Sequence, residues 1–283
     1  TGLLETLNEI DADIVNVNYR WAPSYSKDMR RYAGKKVFTF HNMWGEGVGL
    51  QHYASVISDR LFKRTLDTFD HIISVSDYVR SDLIGRGFPS DKVTTATPCL
   101  DRYPEITGEE DDFILYVGRL VRTKGLDYLV KAMQDVDTKL IICGKGPDME
   151  RLKKKIERYG VSDKVELKGW VSEEEKDHYM SRCKLFVMPS LYESYGLAAL
   201  EILSYGKPVI CTNVDGLPMT VQDGGLYVKP KDSFDLADAI NSALSNDPLR
   251  HKLGRNARAI AMKQNVTATV DVIEEVYRKV LDQ

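Results

Sequence analysis

Two glutamates, Glu193 and Glu201, flank the point where a polar turn passes into an apolar, helix-forming run. A short apolar stretch ending at Met188 precedes them, as a buried parallel strand would, and the residues after Gly196 favour a helix. A strand, a tight turn and a helix start leave backbone N–H groups where an anion binds most readily. Glu201 would lie roughly 7–8 Å along the helix axis from Gly196. A phosphate at the helix start would then have one carboxylate near each end of a larger ligand, for instance a nucleotide sugar.

The simpler alternative is that Glu193 is an N-terminal helix charge and Glu201 an ordinary surface residue. The neighbours of Glu201 are apolar, however, and a carboxylate in such surroundings needs a partner. We therefore interpret the two glutamates as functional.

A second group of charged residues, Arg119 and Lys124, follows an apolar strand predicted at Phe113–Val117. In open α/β sheets, ligands bind beyond the carboxyl ends of the strands. An arginine binds a diphosphate in a bidentate manner and a lysine binds it as a point charge. Both residue types are common in loops, so the specificity of the pair comes from the second anion site predicted near Gly196.

Two further strand ends could hold a nucleobase. Gly144 lies in a glycine-rich turn that resembles a dinucleotide fingerprint but lacks its third glycine, which disfavours NAD. A glycine there permits a tight turn under a bound base. After the next predicted strand, Trp170 could stack on the base while the backbone of Val171 pairs with its edge. A tryptophan buried in the core is an equally good interpretation.

Two other residues follow predicted strands. His41 ends a strand of the first half, on the ligand-facing side, where it could contact a sugar hydroxyl or a phosphate. Asp215 lies in a loop at the same edge of the second half, but it could as easily cap the helix that follows.

Composition limits the class of protein. The 283 residues are 43% hydrophobic, with a formal charge of −3 and a pI near 6.0, which does not favour nucleic acid as the main partner. Four separated cysteines form no CxxC pair, so buried reduced thiols are expected rather than disulfides or zinc. No apolar segment is long enough to span a membrane, and the basic run at 27–31 is interpreted as a solvated face.

Apolar, β-branched runs alternate with amphipathic stretches along the whole chain, which predicts an α/β fold with parallel sheets. Residues 97–112 have the composition of an interdomain linker. Strands are predicted at Asp13–Val17, Lys36–Phe40, His71–Val75, Lys92–Ala96, Phe113–Val117, Lys139–Cys143, Lys164–Leu167, Leu185–Met188, Pro208–Cys211 and Leu226–Val228.

These motifs, in this order and spacing, resemble the retaining, two-domain GT-B glycosyltransferases of the group-1/GT4 type. The matching motifs are Gly118-Arg119 with Lys124-Gly125, Gly144-Lys145-Gly146-Pro147, Gly169-Trp170-Val171, Pro189-Ser190, Glu193 with Glu201, and Gly206-Lys207-Pro208-Val209. They extend across residues 113–245, and two carboxylates separated by seven residues are the hallmark of that group. Phe40-His41-Asn42 and the run at 74–79 resemble its N-terminal domain.

The resemblance implies a role for each residue. Glu193 would bind hydroxyls of the donor sugar and Glu201 the ribose, while His41 would reach across the cleft to the reacting sugar. Arg119 and Lys124 would neutralise the diphosphate, together with the backbone N–H groups of Tyr195, Gly196 and Leu197. Such enzymes generally need no metal ion and no cofactor beyond the donor, here a UDP-, GDP- or ADP-sugar. The acceptor would be a sugar, a lipid-linked molecule or a small molecule.

The resemblance also implies two Rossmann-like domains facing a cleft. The partial N-terminal, acceptor-side domain would occupy residues 1–105, the donor-binding domain 106–264, and a returning C-terminal helix 265–283. The family's N-terminal domain normally begins further upstream, so we expect a fragment or a shortened homologue that needs a partner chain. A cytoplasmic protein, with at most peripheral contact with the inner face of a membrane, is expected.

Two positions depart from the family pattern: Met219 replaces the usual Glu, and Cys99-Leu100 replaces the usual Asn-Gly. The alternative function is a non-catalytic protein that binds sugar nucleotides or acts as a scaffold.

Overall fold

The computed structural model describes residues 2–18, 23–106, 108–264 and 266–283. The chain divides into two compact units. The first comprises Thr1–Pro98 with Val266–Gln283, and the second comprises Cys99–Asn265. Each unit contains one β-sheet whose neighbouring strands are all parallel. The predicted α/β class with parallel sheets is confirmed.

The strands, in chain order, are β1 (Val15–Val17), β2 (Lys36–Phe40), β3 (His71–Ser74), β4 (Val93–Thr95), β5 (Phe113–Val117), β6 (Lys139–Cys143), β7 (Val165–Gly169), β8 (Leu185–Met188), β9 (Val209–Thr212) and β10 (Gly225–Val228). The α-helices are α1 (Leu3–Ile10), α2 (Pro23–Arg31), α3 (Leu50–Leu66), α4 (Asp77–Gly85), α5 (Leu126–Ala132), α6 (Met149–Tyr159), α7 (Glu173–Arg182), α8 (Leu197–Ser204), α9 (Leu217–Val221), α10 (Ser233–Leu244), α11 (Asp247–Met262) and α12 (Val266–Leu281).

The sheet of the first unit has the strand order β1-β2-β3-β4. Alternate residues of β2 face opposite sides of this sheet, as the period of a strand requires. Val37 packs with Val276 and Val280 of α12, whereas the ring of Phe38 lies 5.5 Å from that of Phe62 and 5.4 Å from that of Phe69. Apolar burial on both faces therefore holds the sheet between helices.

Helix α2 was not predicted, because its basic run was interpreted as a solvated face. The helix is amphipathic: Met29 is buried while its neighbour Arg30 is exposed. Lys36 is buried beneath its end, and its Nζ donates to the carbonyls of Met29 at 2.8 Å and Tyr32 at 2.9 Å. A cation at a helix C-terminus satisfies carbonyls that lack an intrahelical donor.

The sheet of the second unit has the order β10-β9-β8-β5-β6-β7. Successive residues of β5 point to opposite faces of the sheet and enter two separate cores. Ile114 packs in the core formed with α5, α6 and α10, and Leu115 packs in the core formed with α7, α8 and α11. This is a doubly wound arrangement. The chain extends to one side of β5 through β6 and β7, and to the other side through β8, β9 and β10. The direction of winding thus reverses between β5 and β8.

Within the described residues, no helix is long and apolar enough to cross a membrane.

Candidate functional site

The point of reversal between β5 and β8 positions the loops that carry the predicted charged residues. The loop after β5 runs from Gly118 to α5 and holds Arg119 and Lys124, and the loop after β8 runs from Pro189 to α8 and holds Glu193. Because parallel strands end at the same edge of a sheet, both loops lie at its carboxyl edge. Ligands of open α/β sheets bind where the winding reverses.

A charge pair joins the two loops. Lys124 Nζ lies 2.5 Å from Glu193 Oε2, and the two side chains are only 17% and 10% exposed. The hydroxyl of Ser190 also lies 3.4 Å from the same carboxylate oxygen. Charges that are largely removed from water are weakly screened by salt. The structure therefore brings one predicted cation and one predicted carboxylate together in a partly desolvated position.

Asp215, on the loop after β9, fixes the backbone of Glu193. Its Oδ2 accepts the N–H of Glu193 at 3.0 Å, and the N–H of Gly216 donates to the carbonyl of Glu193 at 2.9 Å. Helix α9 begins after Gly216, and this carboxylate thus contacts the loop after β8 from the residue before that helix start. Sequence reasoning missed this contact because it joins loops 22 residues apart.

The start of α8 offers donors to an anion. Gly196 precedes the helix with φ +96°, a left-handed conformation, and a Cβ there would lie 2.8 Å from Leu217 Cδ2. The backbone N–H groups of Tyr195, Gly196 and Leu197 have no hydrogen-bond acceptor in the described part of the chain. Together with the helix dipole, such groups favour a phosphate.

Glu201 has the partner that its apolar neighbours require. Lys176 of α7 places Nζ 2.6 Å from Glu201 Oε1 and 2.7 Å from Glu173 Oε2. Burial acts against the charge of this lysine, but its hydrogen bonds to the two glutamates and their negative charges raise its pKa. Glu201 is therefore held by an ion pair and is only partly exposed.

A cavity of about 390 Å³ lies beside these groups, at the ends of β5, β6 and β7. It is lined by Arg119, Gly144, Trp170, Val171 and Lys176, among others. Lys176 lines the cavity and also forms the ion pair with Glu201, so the carboxylate of Glu201 lies next to a lining residue. Four predicted residues therefore share one cavity, which has the size of a small-molecule site.

The floor of this cavity depends on Gly144. The N–H of Gly144 donates to the carbonyl of Gly169 at 2.6 Å, and a Cβ on Gly144 would lie 1.9 Å from the carbonyl oxygen of Gly118. A side chain there would push the loop after β5 away from the loop after β6, so the close approach of the two loops requires glycine.

Trp170 is 69% exposed, so the alternative of a core tryptophan is wrong. Lys145 Nζ lies 5.9 Å from the centre of its ring, within the range of a cation–π contact. An exposed aromatic face at a cavity is available for stacking.

Arg119 is exposed at the mouth of the cavity. Its carbonyl accepts a hydrogen bond from the hydroxyl of Tyr116 at 3.1 Å, whereas its guanidinium forms no ion pair or hydrogen bond with another described side chain. The hydroxyl of Tyr116 is influenced by the charges of both Glu193 and Arg119. Burial and the negative charge of Glu193 raise the pKa of Tyr116, whereas the positive charge of Arg119 lowers it.

His41 belongs to the other unit. It follows β2, and its Nε2 lies 2.9 Å from Asn18 Oδ1. Desolvation lowers the pKa of its imidazole, which favours the neutral ring. The role of His41 at the reacting sugar stays a prediction.

Histidine, cysteine and carboxylate side chains are the usual metal ligands of proteins. Among the residues that the structure describes, no group of three His, Cys, Asp or Glu side chains is arranged to hold a metal ion. The three buried thiols, Cys143, Cys183 and Cys211, have pKa values raised by burial to about 11, 12 and 12, which leaves them poor ligands at neutral pH.

The sequence matches the models of two protein families. Residues 101–260 match the family model described as glycosyl transferases group 1, and residues 1–102 match that of glycosyltransferase family 4. The chain belongs to the group 1 glycosyl transferases.

Two curated relatives illustrate the similarity. The chain is 32% identical over 228 residues to an uncharacterized glycosyltransferase of Methanocaldococcus jannaschii, which covers 78% of this chain and 63% of that protein. It is 31% identical over 180 residues to the alpha-D-kanosaminyltransferase of Streptomyces kanamyceticus, covering 61% and 47%. The chain thus spans about half to two-thirds of the length of these relatives.

Solved structures share the fold at lower identity. A point mutant of S. aureus TarM, in complex with fondaparinux, alpha-GlcNAc-glycerol and UDP, superposes with a TM-score of 0.84 at 19% identity, covering 97% of this chain and 58% of that chain. Anabaena HepE, in complex with UDP and glucose, superposes with a TM-score of 0.83 at 19% identity, covering 99% and 80%. These neighbours establish a GT-B-like fold.

Proposed function

We propose that this protein transfers a hexosyl unit from a UDP-, GDP- or ADP-sugar to a hydroxyl of a sugar, a lipid-linked molecule or a small molecule, with retention of anomeric configuration. The observation that carries the proposal is the partly desolvated Lys124–Glu193 pair beside the unoccupied N–H groups of α8. Cation, carboxylate and backbone donors converge where the winding of the sheet reverses.

The diphosphate of the donor would bind at the start of α8. The N–H groups of Tyr195, Gly196 and Leu197 supply donors, and Lys124 and Arg119 supply positive charge. Lys124 is already placed by Glu193, so little reorganisation is needed when the anion binds. Prearranged donors and cations of this kind stabilise the charge that develops on a leaving group. Because they replace the charge of a divalent cation, we propose that transfer is independent of metal ions.

The rest of the donor would extend in two directions. The carboxylate of Glu193 accepts hydrogen bonds from sugar hydroxyls, on one side of the diphosphate. On the other side, Glu201 binds the ribose, and the base enters the cavity between Trp170 and Gly144, with the backbone of Val171 at its edge. A mononucleotide fits a cavity of about 390 Å³.

In the transfer step, the bond between the anomeric carbon and the diphosphate oxygen breaks, and the electron pair leaves with the nucleoside diphosphate. The acceptor oxygen forms the new glycosidic bond on the same face of the sugar. The departing phosphate oxygen takes the acceptor proton. Lys124 and Arg119 stabilise the diphosphate as its charge increases, and His41, with its depressed pKa, would contact the reacting sugar as a neutral ring.

Calorimetric titration with UDP-, GDP- and ADP-glucose, followed by a hydrolysis assay in the presence of EDTA, tests this proposal. We expect one of the nucleotide sugars to bind and to be turned over slowly without an acceptor. Binding without turnover would instead support the non-catalytic alternative, and the absence of binding to all three would contradict both.

The substitution Arg119→Ala should weaken donor binding about tenfold or more at low salt, because it removes a charge-assisted contact with the diphosphate. The difference from the wild-type protein should shrink as salt rises, since screening weakens the wild-type contact. Arg122→Ala is the matched control: Arg122 is on the same loop, but its Nε lies 4.0 Å from Asp148, away from the predicted diphosphate. Equal losses in both variants would contradict the assignment of Arg119.

The substitution Trp170→Ala should raise the dissociation constant of the free nucleotide by about 10-fold, since stacking of one base on an aromatic side chain contributes roughly 1–3 kcal/mol. The Lys145 contact with the ring would also be lost. Trp170→Phe should retain most of the affinity but lose the fluorescence quenching that the nucleotide causes in the wild-type protein. Wild-type affinity in the alanine variant would show that the base binds elsewhere.

A further inference from the structure

A second cavity, of about 480 Å³, lies at the opposite edge of the same sheet from the candidate functional site. It is formed by the segment between α8 and β9, which enters β9 at its amino end, and by one face of α11. Four of its described lining side chains are cationic, Lys207, Arg250, Arg255 and Arg258, and one is a carboxylate, Glu110. The cavity is thus strongly basic in a chain whose formal charge is −3.

Helical spacing brings these cations together. Arg250, Gly254 and Arg258 are four residues apart on α11 and therefore share one face. Gly254 allows that face to approach the segment carrying Lys207, because a Cβ on Gly254 would lie 2.4 Å from the carbonyl oxygen of Gly206. The guanidinium of Arg258 donates to the carbonyl of Ser204, the last residue of α8.

Two of the cations are buried and share one carboxylate. The side chains of Lys207 and Arg250 are only 7% and 6% exposed, and they share the carboxylate of Glu110 at 3.4 Å and 3.3 Å. Charge-assisted hydrogen bonds are normally about 2.7–2.9 Å long. Arg250 also contacts Asp247 at 2.6 Å, but that carboxylate is 67% exposed. One partly exposed carboxylate, that of Glu110, therefore lies between two buried cations at distances longer than those of normal charge-assisted hydrogen bonds.

Arg250 also carries a hydrogen-bond donor without a partner. The Nε of Arg250 is buried and has no hydrogen-bond partner in the described structure. A buried donor left unpaired is costly, and native proteins usually satisfy it with a partner, a water or a ligand. Arg255 is exposed at the rim of the cavity, and its side chain pairs with no other described residue. The exposed guanidinium of Arg255 and the other basic lining residues thus place positive charge around the same cavity.

We propose that this cavity binds a phosphomonoester of small-molecule size. A dianionic phosphate supplies the missing negative charge and accepts several N–H donors at once. The apolar atoms of Ile106, Tyr205 and Pro208 line the same cavity and leave room for a compact organic group. This site is separate from the proposed donor site, because α8 lies between them and its eight residues span roughly 12 Å. The inference does not depend on the proposed function.

Calorimetry on the full chain with inorganic phosphate and with a hexose 6-phosphate tests the proposal. We expect both to bind, the hexose 6-phosphate more tightly. Arg255→Gln should weaken binding about threefold or more, since it removes one rim cation. Arg250→Lys should weaken it about tenfold or more, since it keeps the charge but removes the planar fork and Nε. Arg158→Gln is the matched control, an exposed arginine on α6 outside the cavity.

One further variant and one further measurement make the outcome decisive. Arg119→Ala, which alters the proposed diphosphate site, should leave phosphate binding intact. If Arg119→Ala abolishes binding while Arg255→Gln leaves it unchanged, the phosphate occupies the donor site and the proposal is overturned. The absence of binding to either probe in the wild-type protein would also overturn it. Melting temperatures check that Arg250→Lys is folded, and the exposed Arg255 keeps the test valid if that variant is not.

Discussion

Glu193→Gln should lower the rate of sugar transfer by about 100-fold or more, while the donor still binds. The substitution keeps the shape of the side chain but removes its negative charge. The carboxylate that we propose accepts sugar hydroxyls is lost, and Lys124, 17% exposed and 2.5 Å away, loses its counter-ion. Removing one prearranged polar group from an active site typically costs about 10²–10³ in rate. Initial rates of transfer and calorimetric donor affinity, measured on the same preparation, would separate an effect on the transfer rate from an effect on donor binding.

Glu174→Gln provides the control for this experiment. Glu174 is an exposed glutamate in the first turn of α7 and is not part of the charge pair. Its substitution changes the net charge by the same amount and should leave the rate within about twofold, since surface changes away from special features have small effects. Similar losses in both variants would indicate a general charge effect and would rule out a specific role for Glu193.

Gly125→Ala should destabilise the protein by about 2–4 kcal/mol and weaken donor binding. Gly125 joins the loop after β5 to α5 with φ +64°, and a Cβ there would lie 2.0 Å from the carbonyl oxygen of Pro189, in the loop after β8. The two loops that carry Lys124 and Glu193 would have to separate. Urea unfolding would measure the loss of stability, and titration with the donor would measure the loss of affinity.

Gly160→Ala separates the two causes of the stability loss expected for Gly125→Ala, which are the strained backbone and the clash between the loops. Gly160 ends α6 with φ +66°, nearly the same conformation, but a Cβ there meets no atom within 4 Å. Its substitution should cost only the strain of the left-handed backbone, about 1 kcal/mol, and should leave donor affinity unchanged. An equal loss of stability in the two variants would show that contact between the loops is unimportant.

The local sequence was sufficient to locate most of the secondary structure. The predicted bounds of β2, β5, β6 and β8 agree with the structure, because each is a short run of apolar residues with clear polar or glycine boundaries. Helix α2 was missed, since its basic run was interpreted as a solvated face although Met29 is buried. The sequence pattern predicts a helix over Val56–Phe69, whereas helix α3 begins at Leu50, because its first turns expose apolar residues such as Tyr53 that do not follow an amphipathic pattern.

The sequence alone also determined which residues lie in the loops at the carboxyl ends of the strands, since strand, turn and helix signals are local. Arg119, Lys124, Gly144, Glu193 and Gly196 were placed there before any contact was known. The parallel character of the sheets followed from alternating strands and helices, which require crossover connections.

Only the tertiary structure decided which of these residues meet. The strand order that puts β5 beside β8 joins Lys124 to Glu193, which are 69 residues apart. The same packing gives Glu201 its partner Lys176, exposes Trp170, and turns one face of α11 towards Lys207. Pairings of this kind depend on how helices and strands pack over long sequence separations. Local propensity carries no information about them, so periodicity and spacing could not have predicted them.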